Sequence, residues 1–183
     1  MAYANKVIRN PQTGQTLRFI QTSRDTNGQL LQMESTFRAR STKPAAHYHP
    51  NQDEDFTVIA GELTVQISGQ TKTFRQGDRL HIPQNTVHSM WNASDEETIV
   101  NWQVSPALDT EDFLETAYGL ANEGKIGPNG KPALLQAVLL MQHFSRVFRL
   151  TSPALPVQKV VFGLLSPLAY IAGYRPTYDK YLN

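Results

Sequence analysis

The chain contains no cysteine. Disulfide bonds, thiolate metal sites and cysteine nucleophiles are therefore all excluded. Any metal ion that this protein binds must be held by nitrogen and oxygen atoms. The missing residue type thus narrows the possible chemistry before any motif is considered.

An excess of charge of one sign is also lacking. The 17 Lys and Arg residues nearly cancel the 16 Asp and Glu residues, and no block of consecutive like charges stands out. The composition therefore gives no electrostatic reason to expect nucleic acid as a partner. A small organic molecule is the expected ligand or substrate.

Long apolar runs are missing as well. The longest uncharged stretch in the apolar C-terminal region is residues 160–174. It is shorter than the roughly 20 apolar residues that span a bilayer, so no transmembrane segment is expected. Residues 1–6 show no basic segment followed by an apolar run, so no secretory signal is expected either. A cytoplasmic location is the resulting expectation.

The first part of the chain, up to about residue 106, consists of short alternating runs separated by turn residues. Alternation of apolar and polar side chains is clearest in residues 31–37 and 63–67. Such runs predict an antiparallel, mainly β domain. The predicted turns contain Gly28, Gly61, Gly69, Gly77 and Asn92. Their spacing leaves no room for helical crossovers, which favours a barrel or sandwich over residues 1–106.

After Pro106 the apolar period changes from two to about 3.6 residues. Residues 107–183 are therefore predicted to form a helical extension, with helices at about 110–123, 132–150 and 157–172. Gly- and Pro-rich segments separate these helices. The extension is expected to pack on the outer sheet of the barrel. Capping the barrel mouth, forming a dimer and lying on a membrane surface are the alternatives.

The first chemically informative segment is residues 47–61. His47 and His49 are two residues apart, so on a strand both imidazoles point to the same face and can converge on one ion. Glu54 follows five residues later and can return to the same ion if the chain bends at Pro50. Gly61 then closes the next hairpin.

The second segment, residues 77–92, contains a turn glycine, a strand, a proline-containing turn and a further strand that opens with His88. In an antiparallel barrel this returning strand can lie across from the strand of His47. His88 would then supply a ligand from a distant part of the sequence.

Together, these two segments resemble the two conserved motifs of the cupin superfamily. The first motif is His-x-His followed by four residues, then Glu, then six residues and Gly. The second motif is Gly followed by five residues, then Pro, one residue, Gly, two residues, His, three residues and Asn. Every position matches except Asn85, which stands where the family usually has Gly. Because Asn tolerates a left-handed backbone better than most residues, this departure puts little in doubt. The C-terminal part is also similar to a helical extension of some cupins.

The resemblance implies a double-stranded β-helix, also called a jelly-roll or cupin barrel. It also implies that His47, His49, Glu54 and His88 hold one divalent transition-metal ion. Three imidazoles and a carboxylate suit Fe, Mn, Ni, Co, Cu or Zn, and the sequence does not rank these metals. A homodimer is expected by resemblance alone.

Several side chains have more than one possible role. Glu54, the candidate catalytic residue, is either a ligand or a base that swings away from the ion. His81 is expected to be an ordinary strand histidine, and His143 to be structural or exposed. The larger set of possible pocket residues, all more typical of core or surface, is Phe37, Phe56, Gln66, Trp91, Asn101, Trp102 and Gln103.

The leading functional hypothesis is a metal-dependent oxidoreductase that resembles dioxygenases acting on small aromatic or enolic compounds. A non-catalytic binding or sensor protein is the first alternative. A redox-neutral isomerase or lyase, in which the metal only polarises a carbonyl group, is the second. Fold alone does not choose between them.

Overall fold

The computed structural model describes residues 1–127 and 131–182. In this part of the chain the strands are β1 (Val7–Arg9), β2 (Thr16–Gln21), β3 (Leu31–Phe37), β4 (His47–Tyr48), β5 (Asp53–Ala60), β6 (Glu62–Ile67), β7 (Gln70–Arg75), β8 (Arg79–Ile82), β9 (His88–Trp91), β10 (Thr98–Ser105) and β11 (Arg149–Leu150). The helices are α1 (Thr110–Asn122), α2 (Leu134–His143) and α3 (Leu155–Ile171).

The strands form two antiparallel sheets. One sheet has the order β1-β2-β3-β10-β5-β8, and the other has the order β11-β4-β9-β6-β7. Strands that are distant in sequence, such as β3 and β10 or β4 and β9, are neighbours in space. This crossed strand order gives the mainly β jelly-roll architecture that the sequence predicts.

Alternating side chains of the strands fill the space between the sheets. In β3, Leu31, Met33, Ser35 and Phe37 are buried, while the residues between them are partly exposed. The period of two in the sequence therefore places one face of β3 in the interior. The core between the two sheets consists of Phe37, Phe56, Val58, Leu63, Val65, Ile82 and Val100.

Two turn positions explain motif residues that carry no chemistry. Gly61 has a φ of +77° and lies against Thr98, a combination that a side chain would disturb. Asn85 has a φ of +61°, so it adopts the left-handed conformation expected for the position at which the cupin motif has Gly. Buried Asn92 donates from its side chain to the carbonyl oxygens of Arg38 and Glu96 and thereby fixes a loop.

The chain after β10 lies against the barrel. Leu114 and Tyr118 of α1 pack with Phe19 and Met33 in a second core cluster. Phe144 and Val147, which follow α2, are buried in a third cluster together with Leu140. The extension therefore adds apolar core rather than forming a separate body.

The prediction of a helix up to about residue 150 is wrong. α2 ends at His143, and Arg149–Leu150 forms β11, which pairs with Tyr48 and His47 of β4. The unpaired edge of β4 offers backbone hydrogen bonds, and this tertiary pairing outweighs the local helical pattern. Residues 128–130 of the predicted break before α2 lie outside the described residues. No helix within residues 1–127 and 131–182 is both long and apolar enough to cross a membrane.

Candidate metal centre

The structure brings the four predicted ligands to one place inside the barrel. His47 lies in β4 and is the register partner of His88 in β9. His49 follows β4 and, two residues from His47, turns its ring toward the same point. Glu54 belongs to β5 of the opposite sheet. The site thus lies between the two sheets.

The three histidines are close enough to share an ion. One ring nitrogen from each of His47, His49 and His88 lies within 4.8 Å of the others. Glu54 Oε2 lies 3.3 Å from His49 Nε2 and 3.0 Å from His88 Nε2. Two ligand atoms at about 2.1 Å from one ion and at right angles are about 3.0 Å apart, so these separations fit one coordination sphere.

Backbone carbonyl groups determine which nitrogen of each ring is free. His47 Nδ1 lies 3.1 Å from Ala45 O, and His88 Nδ1 lies 2.9 Å from Thr86 O. His49 Nδ1 contacts Val147 O. Since a carbonyl oxygen only accepts, each Nδ1 must carry the proton. Each Nε2 therefore presents a lone pair, which is how histidine ligands are usually oriented.

Three buried atoms at this point lack ordinary partners. His49 Nε2, His88 Nε2 and Glu54 Oε2 have no hydrogen bond of acceptable geometry within residues 1–127 and 131–182. Buried polar atoms without partners are rare, because they cost about 1–3 kcal/mol each. A single proton cannot satisfy all three atoms, whereas one metal ion accepts a lone pair from each. The donor set therefore fits a divalent metal.

The electrostatics of the site favour a neutral His47 imidazole beside an ionised Glu54 carboxylate. Burial, together with the nearby His88 and His49 rings, lowers the pKa of His47 to about 3. Burial alone would raise the pKa of Glu54, but the three imidazoles outweigh it and hold that pKa below its usual range. Burial would lower the pKa of His88, but contact with Glu54 raises it overall. His47 is thus available to a metal without losing a proton at neutral pH.

A cavity of about 180 Å³ opens above the four side chains. Its walls are mostly apolar and come from both the barrel and the extension. Apart from the candidate ligands, the lining residues are Gln15, Phe37, Pro44, Met90, Trp102, Thr110, Phe113, Leu114, Tyr118, Val147 and Phe148. The extension therefore contributes part of the wall at the barrel end where the histidines lie.

Phe148 is a side chain of the extension whose ring contacts two candidate ligands, His47 and His49. Its ring stacks on the His47 ring, with centroids 4.7 Å apart, and on the Phe113 ring at 5.0 Å. Neither Phe148 nor Phe113 was identifiable as a site residue from the sequence, because no local motif surrounds either one. The pairing of β11 with β4 is what brings Phe148 beside the histidines.

Other predicted roles can now be compared with the structure. His81 lies in β8 on the surface, 2.8 Å from Asp55, as expected of an ordinary strand histidine. His143 is exposed at the end of α2. Phe37 and Trp102 line the cavity. The other possible pocket residues, which are absent from its lining, are Phe56, Gln66, Trp91, Asn101 and Gln103.

The family model of the Cupin domain matches residues 34–104. The match contains all four candidate ligands and ends within β10. Together with the jelly-roll topology, it shows that the barrel is a cupin domain. The cupin assignment applies to this barrel, and three of its histidines lie close enough together to hold a metal ion.

Two curated relatives each match less than half of the chain. A quercetin 2,3-dioxygenase of Bacillus subtilis is 35% identical over 78 residues, which are 42% of this chain and 23% of the relative. An uncharacterised protein of Aquifex aeolicus is 34% identical over 73 residues, covering 40% of this chain and 60% of the relative. This chain thus spans less than two thirds of each of these relatives.

Solved structures with a similar fold include a predicted oxalate decarboxylase from Thermotoga maritima. It is 15% identical, with a TM-score of 0.49, over 56% of this chain and 92% of that chain. An RmlC-like cupin from Shewanella frigidimarina is 19% identical, with a TM-score of 0.49, over 61% of this chain and 94% of that chain.

Proposed function

We propose that this protein is a metal-dependent oxidoreductase of the dioxygenase type, with His47, His49, His88 and Glu54 as the ligands of one divalent transition-metal ion. The observation that carries the proposal is the convergence of unpartnered lone pairs at the floor of a largely apolar cavity. A bound ion of the Fe, Mn, Co, Ni or Cu type would supply Lewis acidity and redox exchange with dioxygen.

The histidines have their orientation fixed before any ion binds. Their Nδ1–H groups donate to Ala45, Val147 and Thr86, so each ring is held with Nε2 toward the common point. Such preorganisation avoids rearrangement of the ligands during a reaction. Were His47, His49, His88 and Glu54 to hold an octahedral ion, about two of its positions would remain free for other ligands.

For Glu54, the structure supports a ligand role over that of a mobile base. Trp102 Nε1 donates a 2.9 Å hydrogen bond to Oε1, and this bond leaves Oε2 directed toward His49 and His88. A carboxylate held in this way would have to break the hydrogen bond in order to swing. We therefore assign Glu54 to the metal rather than to proton transfer.

The cavity walls favour a small, flat and largely apolar substrate. Phe37, Phe113 and Phe148 provide aromatic surface, which excludes water and suits an aromatic or enolic ring. Tyr118 also lines the cavity, and its buried hydroxyl has no hydrogen-bond partner among the described residues. Burial raises the pKa of Tyr118, so the hydroxyl stays protonated and is available as a donor to a substrate oxygen.

The likeness to a quercetin 2,3-dioxygenase supports this class of reaction for the barrel. The matched region is only 23% of that relative, so the substrate is proposed from the cavity and not from the relative. A catechol, a diketone or a flavonol is the expected type of molecule.

Metal analysis and oxygen consumption test the proposal together. Purified protein is first analysed for bound metals, and oxygen uptake is then followed with a panel of catechols, diketones and flavonols. We expect a redox-active metal near one per chain and uptake that Glu54→Gln reduces by at least about tenfold. Asp55→Asn, in the same strand but exposed, is the matched control. Stoichiometric metal without oxygen uptake on any of these compounds would exclude the dioxygenase and favour a redox-neutral reaction or binding.

A further inference from the structure

α3 carries apolar side chains on its solvent-exposed side as well as on the side that packs on the protein. Its buried residues are Gln158, Ser166 and Ala169, and the neighbouring Val161, Phe162 and Leu165 are half-buried. Its exposed large aliphatic residues are Val157, Val160, Leu164, Leu168 and Ile171, of which Leu164 is 70% and Ile171 is 84% exposed. These positions are three or four residues apart and therefore form one stripe along the helix, here called the aliphatic stripe. Contiguous exposed apolar surface of this kind usually has a partner.

The charge of the surrounding chain has one sign. Residues 125–178 contain no Asp or Glu but contain six basic residues, namely Lys125, Lys131, Arg146, Arg149, Lys159 and Arg175. The rest of the chain, outside residues 125–178, contains the other 11 basic residues and all 16 acidic residues. Residues 125–178 are therefore positively charged, whereas the whole extension, residues 107–183, has seven basic and six acidic residues.

A second cavity beside α3 contains two of these basic residues. It has a volume of about 150 Å³, and Arg149 and Lys159 line it together with Met141, Leu155 and Phe162. Arg149 donates to the carbonyl oxygen of Ser145. Within residues 1–127 and 131–182, neither Arg149 nor Lys159 forms an ion pair with a carboxylate. A cationic site with apolar walls suits an anionic group that is attached to a hydrocarbon.

We propose that α3 docks on an anionic lipid surface. The aliphatic stripe enters the boundary between headgroups and acyl chains, and the basic residues of 125–178, Lys159 among them, draw the protein toward the anionic surface. α3 has 17 residues and is about 26 Å long, so it lies in the plane of the surface rather than across it. Arg175 is 5.8 Å from the ring of exposed Tyr170 and adds a further basic and aromatic pair at the end of the helix.

Charge favours lipid over a second copy of the chain. Two copies that met through the aliphatic stripe would bring together two segments without a single carboxylate, and like charges would face each other. An anionic bilayer instead attracts every Lys and Arg near its surface. The proposal concerns the location of the protein and is independent of the reaction proposed for the barrel.

Vesicle flotation tests the proposal with the full-length protein. The wild-type protein is expected to float with vesicles of phosphatidylcholine and phosphatidylglycerol, to float poorly with phosphatidylcholine alone, and to lose binding as salt is added. The double variant Leu164→Gln/Leu168→Gln should bind at least about tenfold more weakly. Lys159→Gln should weaken binding about fivefold. The matched controls are Ile59→Gln, an exposed aliphatic position in β5, and Lys72→Gln, an exposed lysine in β7.

Two results would overturn the proposal. One is a wild-type protein that does not bind anionic vesicles at low salt. The other is a dimer, measured by light scattering, that Leu164→Gln/Leu168→Gln dissociates, because the aliphatic stripe would then belong to a second copy. Circular dichroism verifies that each variant is folded. If the double variant is not folded, Ile171→Gln at the most exposed position replaces it, with the same expected loss of binding.

Discussion

Trp102 Nε1 donates a hydrogen bond of 2.9 Å to Glu54 Oε1, across two paired strands of the barrel. The indole ring also stacks on Phe56, with ring centroids 5.8 Å apart. Trp102 is therefore held on one side by packing and holds the carboxylate on the other. The hydrogen bond determines which oxygen of Glu54 faces His49 and His88.

Replacing Trp102 by Phe should weaken metal binding without removing it. The variant keeps an aromatic ring against Phe56 but loses the N–H donor, so Glu54 is free to rotate. We expect metal affinity to fall about tenfold to a hundredfold, as is typical when a hydrogen-bond partner of a ligand is lost. Competition with a chromophoric chelator measures the change. Trp91→Phe is the control, and equal affinities for the two variants would show that the hydrogen bond has no such role.

The metal-free protein should be most stable near pH 6.5. The pKa of His47 falls from about 6.5 in the unfolded chain to about 3 in the folded chain. The unfolded chain therefore binds more protons between these values, and the unfolding free energy falls as the pH falls, by up to about 1.4 kcal/mol per pH unit. The lowered pKa of Glu54 adds to this loss below about pH 4.5. The raised pKa of His88 acts in the opposite direction. Its contribution to the unfolding free energy is present below pH 6.5 and is lost as the pH rises.

Urea unfolding of chelator-treated protein over a range of pH measures this profile. In the variant His47→Asn the unfolding free energy should depend less on pH below pH 6.5, because the imidazole that takes up a proton in this range is gone. In the presence of bound metal the unfolding free energy should depend less on pH above pH 6.5, because the metal occupies His88 Nε2 in place of a proton. A profile that His47→Asn leaves unchanged would contradict the assigned shift.

Metal binding should also protect the segment that follows α2. Val147 O accepts from His49, and Leu150 pairs with His47 in β11 and β4. Opening of residues 147–150 must therefore disturb two candidate ligands. Adding metal to chelator-treated protein should slow amide hydrogen exchange in this segment by at least about tenfold. β7, which contains no candidate ligand, is the internal reference, and equal changes in both segments would argue against the coupling.

Gly61→Ala should destabilise the barrel more than Gly69→Ala. Both residues have positive φ, at +77° and +87°, so both variants are strained by about 1 kcal/mol. At Gly61 the added methyl group would also meet the carbonyl oxygen of Glu97 and would lie 2.9 Å from Thr98 Oγ1. Among the described residues, Gly69 has no atom within 4 Å of that position. We expect the unfolding free energy to fall by about 2–4 kcal/mol in Gly61→Ala and by about 1 kcal/mol in Gly69→Ala, measured by denaturant unfolding. Similar losses would show that the crowding at Gly61 is relieved by small shifts.

The barrel strands and the shared face of His47 and His49 could be predicted from local patterns in the sequence, whereas the full set of four candidate ligands followed from the resemblance to the two cupin motifs. Alternation in β3 fixes its buried face, and the spacing of His47, His49 and Glu54 fits one strand, a bend and the next strand. The left-handed backbone at Asn85 likewise follows from the identity of a single residue and its place in a motif.

The cavity wall could not be predicted because it depends on contacts between distant residues. His49 and Val147 are 98 positions apart, and the helical pattern around Val147 gave no sign of the strand that follows it. Trp102 was expected to be a core residue, and only the structure shows that its N–H reaches Glu54. The positive charge of residues 125–178 was likewise hidden by the near-neutral total.

The ligand assignment itself is tested most directly by the metal content of His49→Ala. Each variant is purified, loaded with metal under identical conditions, desalted and analysed by mass spectrometry of the elements, with His81→Ala as the control for loss of a histidine outside the site. We predict about one metal ion per chain in the wild-type protein and in His81→Ala, and less than about a tenth of that in His49→Ala. Full metal content in His49→Ala would contradict the proposed centre.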